Sequence, residues 1–440
     1  MNIASASAVS LGINMHSVDK DIDYASKESR CRLWCSLLML ERSLTTITGR
    51  PSTLDHSFSV QAPLPFPESA FSKYPESLFL NNALEREKVG TWSLFEDEAH
   101  TKIRAECLKS MQPNQSLFFH YQVDLSLIAS AITKRIYGVH ALQEGRGQVE
   151  RAIEFYGQKL DRWLSTIHDQ FSFIDESGEL IRTISSREQV GLALYFYSTC
   201  ILLHRPCLSR PGIRGRSGIR LPRSRFGNNT AVICIRSALY LLDIFPDEPS
   251  EHWFYYISPW WTTLHFMMQA MVVLLIHLTV GDAPVRSKQS QKEGRGPAHS
   301  FNSSEAVLAN CKKVLRWLYH MASTDSSCKQ GFEICHRLIH RIPSLNELIL
   351  EGIPSPSALN QDPPNNPIFS GGQPTELSED LGYVDFNSSF ATQDSSIGGY
   401  SSEVSPLNLL AGSDISWFPS LEELDQIRVP YDDLPGWNWL

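Results

Sequence analysis

Read from the amino end, the chain's apolar positions recur at helical spacing. In RCRLWCSLLMLERSLTTITGRPSTL, Arg30 to Leu54, the residues Leu33, Leu37, Leu40, Leu44 and Ile47 alternate steps of four and three, which predicts one helix with those residues as its inner face. Trp34 and Leu38 widen that stripe, Arg32, Ser36, Arg42, Ser43 and Thr46 fall largely outside it, and Gly49 followed by Pro51 marks its end. Further helices are predicted at about Leu117–Leu142 (Leu125, Ile128, Ile132, Ile136) and Val149–Ile167 (Ile153, Tyr156, Leu160, Trp163). Ser185 and Glu188 have the spacing of a capping box that opens Gln189–Leu203, and Pro206 ends that helix near His-Arg-Pro. Two more are expected at about Asn229–Phe245 and Ser304–Ala322. No convincing strand alternation occurs, so the predicted class is all-α: an irregular multi-helix domain over residues 1–350 with a tail over 351–440.

One segment invites a second reading. WWTTLHFMMQAMVVLLIHLTV, Trp260–Val280, has the length and apolarity of a membrane span. His265, Gln269, His277 and Thr262 gather towards one side of it, and no Lys or Arg cluster adjoins either end. A buried central helix fits these polar interruptions better, and no membrane partner is expected. The prolines of QAPLPFPES predict an extended connector between Leu54 and Ser69, and Gly281–Ser300 a polar loop. From about Pro354 to Asp414 the composition turns to Pro, Gly, Ser, Asn and Asp, which predicts disorder.

Charge sharpens this division. Glu376–Leu440 holds twelve acidic residues and one basic, whereas the whole chain carries −9, so the remainder is close to neutral. A nearly neutral body is not that of a basic nucleic-acid binder. Its basic residues concentrate instead in Arg205, Arg210, Arg214, Arg216, Arg220, Arg223 and Arg225, a run without intervening acid. Such a run is either a solvated surface loop or a patch attracted to polyanions. At the other extreme SWFPSLEELDQIRVPYDDLPGWNWL alternates acids with large apolar side chains. Asp432, Asp433, Leu434, Trp437, Trp439 and Leu440 are its densest part, with the pattern of an activation segment that a coactivator groove would accept; the plain alternative is a strap packed on the body.

Candidate chemistry is sparse. The nine cysteines are odd in number and irregularly spaced, which argues for a reducing compartment rather than a disulfide framework. Cys31 and Cys35 share a helical face but lack two further ligands nearby, so packed thiols are expected. His-Arg-Leu-Ile-His at 336–340 has the spacing of a zinc-protease helix with Arg337 where the general-base Glu belongs. No Gly-x-Ser-x-Gly elbow or Gly-Lys-Ser/Thr phosphate loop occurs, and the expectation is that the protein is not an enzyme.

Four stretches, in order, resemble the regulatory middle region of fungal-specific transcription factors of the binuclear zinc-cluster family: SAVSLGINMHSVD, CRLWCSLLMLERSLTTITGRPSTL, LSLIASAITKRIY and LALYFYSTCILLHRPCL. In the second, Cys35 stands where the family usually has a second Trp, and Glu41-Arg42 stands for Asp-Arg. The resemblance implies an all-α regulatory domain acting in the nucleus, with coactivators and a homo- or heterodimeric family member as partners. It also implies a six-cysteine zinc cluster for DNA reading, yet this sequence contains no Cys-x2-Cys pair. Zinc is therefore not expected as a cofactor of these residues, and DNA would be reached through a missing or partner-supplied reader. The function implied is regulation of transcription, extending to a metabolic or secondary-metabolite gene cluster; the rival is a helical interaction or inhibitor protein that pairs with a full-length homologue without itself binding DNA.

Overall fold

In the computed structural model, the described residues are 2–15, 22–49, 52, 54, 62–67, 89–138, 146–181, 184, 186–208, 225–280, 304–342 and 346–360. They form twelve α-helices: α1 Asn2–Ser10, α2 Tyr24–Thr48, α3 Glu98–Ser110, α4 Gln115–Tyr137, α5 Arg146–Thr166, α6 Arg187–His204, α7 Arg225–Asp243, α8 Glu251–Ile257, α9 Trp260–Val280, α10 Ser304–Met321, α11 Ser326–His340 and α12 Asn346–Leu350. Among the described residues the extended structure amounts to one antiparallel bridge, Ile174 with Leu180, across a turn. The all-α expectation holds.

Two apolar helices organise the rest. In α6 nearly every side chain from Val190 to His204 is buried, because α4, α5, α7 and α9 surround it. A helix apolar on all sides is stable only with such neighbours. The membrane-length helix α9 packs against α6, α7, α8, α10 and α11, with Phe266, Met267, Met271, Val273 and Leu274 buried. Its polar interruptions are accommodated within the protein: Ser198 on α6 donates to Gln269 Oε1 (2.6 Å), and Gln269 Nε2 donates to the Ser198 carbonyl (3.3 Å). The buried-helix reading is therefore the one the fold displays.

Three sequence expectations need correction. The inner face of α2 is not centred on Leu33 and Leu40, which are 57% and 44% exposed; Trp34, Cys35, Leu38, Glu41 and Arg42 face the core instead. The reason is polar: Glu28, Arg32, Glu41 and Arg42 have partners in the body, and satisfying them rotates the helix about one position away from its leucine stripe. The helix at Leu203 is capped by Ser186, whose hydroxyl accepts from Gln189 N (3.1 Å), so the cap lies one residue later than Ser185 and Glu188 instead receives Gln115 Nε2 (2.9 Å). At the carboxyl end a 3₁₀ turn, Pro356–Asn360, follows α12, so the first residues of the stretch expected to be disordered have defined structure. Residues 361–440 lie outside the described residues.

Candidate functional site

Helix α2 is built to hold its neighbours through polar contacts. Asp23 caps it, accepting from Ser26 N (3.2 Å), and Gly49 closes it with φ 63°, a left-handed value that costs a glycine little. Glu28 Oε1 accepts from Leu64 N (2.9 Å) and from Arg32 Nε (2.8 Å). Arg32 Nη2 in turn donates to the carbonyls of Leu64 (3.1 Å) and Phe66 (2.9 Å). One ion pair, four residues apart, thus grips the backbone of the proline connector from both its donor and acceptor sides. Prolines cannot donate, and over residues 62–67 α2 supplies partners for backbone groups of Leu64 and Phe66. Further along, Glu41 Oε2 accepts from the Ser52 hydroxyl (3.0 Å), and Ser43 shares a hydrogen bond with the Tyr195 hydroxyl (2.9 Å). Cys35 is buried and Cys31 half-buried, where Cys35 pushes the Cys31 thiol's pKa upward.

Behind this helix lies a charge cluster that periodicity could not reveal. Arg104 on α3 is 1% exposed; its Nε pairs with Glu96 Oε2 (3.0 Å) and its Nη1 with Asp124 Oδ2 on α4 (3.1 Å), while Nη2 donates to the Ser93 hydroxyl. Asp124 also accepts from Ser93 N (3.0 Å) and the Ser93 hydroxyl (2.6 Å). Glu96 accepts from the Thr91 hydroxyl, and its carbonyl receives Lys159 Nζ (2.7 Å) and Arg162 Nη1 (3.1 Å) from α5. Two helices, α3 and α4, and the 91–97 turn therefore meet on one guanidinium, and α5 joins the cluster through the Glu96 carbonyl. Beside it, His120 is fully buried and donates from Nδ1 to the Pro63 carbonyl (2.9 Å), which fixes the Nδ1–H tautomer. Burial first, and the Arg104 charge second, lower its pKa to about 4, so it is neutral.

The predicted basic run divides. Arg205 is half-buried in a 3₁₀ turn after α6, with its guanidinium 5.1 Å from the centre of the Tyr137 ring. That contact anchors the turn by cation–π attraction and withdraws Arg205 from a solvated patch. Arg225 starts α7, and Arg210, Arg214, Arg216, Arg220 and Arg223 lie outside the described residues. So does the whole proposed activation segment, Asp432, Asp433, Leu434, Trp437, Trp439 and Leu440. His336 and His340 occupy the last turns of α11 with ring centres 4.6 Å apart, and among the described residues no three His, Cys, Asp or Glu side chains gather as a metal site. Burial raises the thiol pKa of Cys200, Cys234 and Cys335, and that of Cys311 to about 12. Protonated thiols in apolar surroundings pack rather than react.

These arrangements fix the positions of the elements they join. Their polar groups are spent on holding α2, α3, α4, α5 and the connector to one another. Against known proteins, the chain is 34% identical over 379 residues to "Transcription regulator galc" of Aspergillus niger, covering 80% of this chain and 45% of that protein. It is 24% identical over 287 residues to "Transcription factor FBD3" of Fusarium pseudograminearum, covering 62% of this chain and 34% of that protein. The chain thus spans less than half the length of either relative, and no solved structure matches it. Residues 1–175, which include α2, its connector and the Arg104 cluster, match the family described as the fungal specific transcription factor domain. The chain therefore carries a fungal specific transcription factor domain, and it is homologous to a fungal transcription regulator.

Proposed function

We propose that this protein regulates transcription in a fungal nucleus, with the helical body as its regulatory part and Asp432, Asp433, Leu434, Trp437, Trp439 and Leu440 as an activation segment. The observation that carries the reading is the similarity to the A. niger regulator over 80% of the chain, together with the family match on residues 1–175. On this reading the targets form a metabolic or secondary-metabolite gene cluster. Coactivators bind the acidic tail, and sequence-specific DNA contact comes from a zinc cluster outside this sequence or on a dimeric partner. The Arg205–Arg225 stretch contributes at most salt-sensitive attraction to phosphates.

The test tethers residues 414–440 to an unrelated DNA-binding domain beside a reporter. Activation is expected, and Trp437→Ala with Trp439→Ala should abolish most of it, since each buried large side chain contributes about 1.5–3 kcal/mol to a groove. The same two substitutions in the full chain should leave its melting temperature unchanged. A lowered melting temperature without a loss of reporter signal would instead make the tail a structural strap. Repression of a full-length homologue's reporter by the co-expressed chain would favour the inhibitor reading.

A further inference from the structure

Between the last turn of α4 and the amino-terminal half of α5 lies an open cavity of about 380 Å³, lined by Arg135, Gln148, Arg151, Ala152, Phe155 and Tyr156. Its volume is within the range of small-molecule sites, about 300–1,000 Å³. Five of the six residues sit at 148, 151, 152, 155 and 156, the spacing of a single helical stripe. Within this stripe Ala152 is buried and Tyr156 half-buried, whereas Phe155 is left 49% exposed.

The lining has a definite chemistry. It contains two guanidinium groups and no acid. Arg151 is exposed and has no acidic partner among the described residues. Phe155 and Tyr156 meet edge to face, ring centres 5.1 Å apart at 83°, and offer an apolar wall. Lys159 Nζ lies 5.4 Å from the Phe155 ring centre, a further positive charge behind that wall. Partial burial raises the pKa of the Tyr156 phenol against the opposing effect of Arg135, and the hydroxyl is a donor at neutral pH, as a phenol ordinarily is. The amino-terminal end of α5 adds its own partial positive charge.

We propose that this cavity binds a small organic carboxylate with an aromatic or similarly flat apolar body. The carboxylate would sit in the Arg151 fork beside Arg135, and the body would lie on Phe155 and Tyr156. Guanidinium groups match carboxylates in shape and charge, and an exposed phenylalanine beside two cations supplies the apolar contact. Any regulatory consequence rests on the transcription reading above; the binding itself does not.

Isothermal titration calorimetry on the full chain with 2-naphthoate and its neutral analogue 2-naphthamide tests this. Saturable 1:1 binding of the carboxylate is expected, with the amide about tenfold weaker or more, the loss that follows from exchanging a charge-assisted hydrogen bond for a neutral one. Arg151→Gln should weaken 2-naphthoate by about tenfold or more while leaving the amide unchanged. Phe155→Ala should weaken both ligands. Because Arg151 and Phe155 are exposed, both variants should melt as the parent does, and a melting scan of each establishes that. Equal affinity for acid and amide, indifference to Arg151→Gln, or no saturable carboxylate binding would overturn the proposal. If no small carboxylate binds but a synthetic peptide of residues 414–440 does, the cavity belongs to an acidic aromatic segment and the small-molecule assignment fails.

Discussion

Replacing Arg104 with Met is the most informative perturbation of the helical body. The parent side chain is 1% exposed and lies between two buried carboxylates, Glu96 and Asp124, at 3.0 and 3.1 Å. Met fills much of the same volume but removes the cation, so two acids remain in the interior without their shared partner. Breaking a buried pair from one side costs about 3–5 kcal/mol, mostly as the penalty of the stranded charge. Total stabilities are about 5–15 kcal/mol, so about a fifth or more of the margin is at stake. For a 150–250-residue domain one kcal/mol moves the melting temperature about 2–4 °C, so a fall of at least about 6 °C is expected. Hydrogen exchange should locate the damage, with protection lost first over 91–104 and in the facing turns of α4 and α5. Arg104→Lys should recover little, because an ammonium cannot reach Glu96, Asp124 and Ser93 in one rigid fork. Combining Arg104→Met with Glu96→Gln and Asp124→Asn removes the stranded charges and should regain part of the loss. A single Arg104→Met variant melting within about 2 °C of the parent would mean that water or repacking relieves the acids, and the cluster would lose its claim to organise the fold.

Three further outcomes are expected. His120 and His204 are buried and held neutral, each with a pKa lowered to about 4, so the unfolded chain binds more protons between pH 6.5 and 4 and stability must fall as pH drops through that window. At pH 4 the cost is about 3 kcal/mol per histidine; His204→Gln should flatten the decline measured by melting scans, and a level profile from pH 6.5 to 4.5 would refute the assignment. Purified protein should carry well under one zinc per chain by elemental analysis, unchanged in Cys31→Ala with Cys35→Ala, whereas stoichiometric zinc lost in that variant would show a site that packing conceals. In gel shifts this chain alone should bind random and CGG-containing duplexes alike, weakly and with a steep fall as salt rises, and a clear preference would reveal a DNA-reading surface.

The helices that were legible in the sequence are those whose burial is apolar. Helices α4, α5, α6, α7, α9 and α10 show leucine, isoleucine or aromatic periodicity, and their observed limits differ from the expected ones by a few residues. Helix α3 was not legible because the residues it buries are Thr101, Arg104 and Leu108. Two of those three are polar, so a hydrophobic pattern reads EAHTKIRAECLKS as a solvated segment although its arginine is among the most buried side chains in the protein. A trace was nevertheless present in Asp124, a lone acid inside the apolar run LFFHYQVDLSLI, where a carboxylate requires a cation or several donors. The same blindness misplaced the face of α2. Leucines can lie half-exposed at modest cost, whereas Glu28, Arg32, Glu41 and Arg42 cannot be buried without partners, so the polar contacts determine the rotation and the leucines accept it. It follows that the charged positions of α2 are constrained for a physical reason. Its charged residues bind the backbone of a connector that, being rich in proline, cannot hold itself, and a change at either side leaves buried polar groups on the other. Such reciprocal demands tie the helix and the connector to one another more tightly than apolar packing, which tolerates exchange among residues of similar volume.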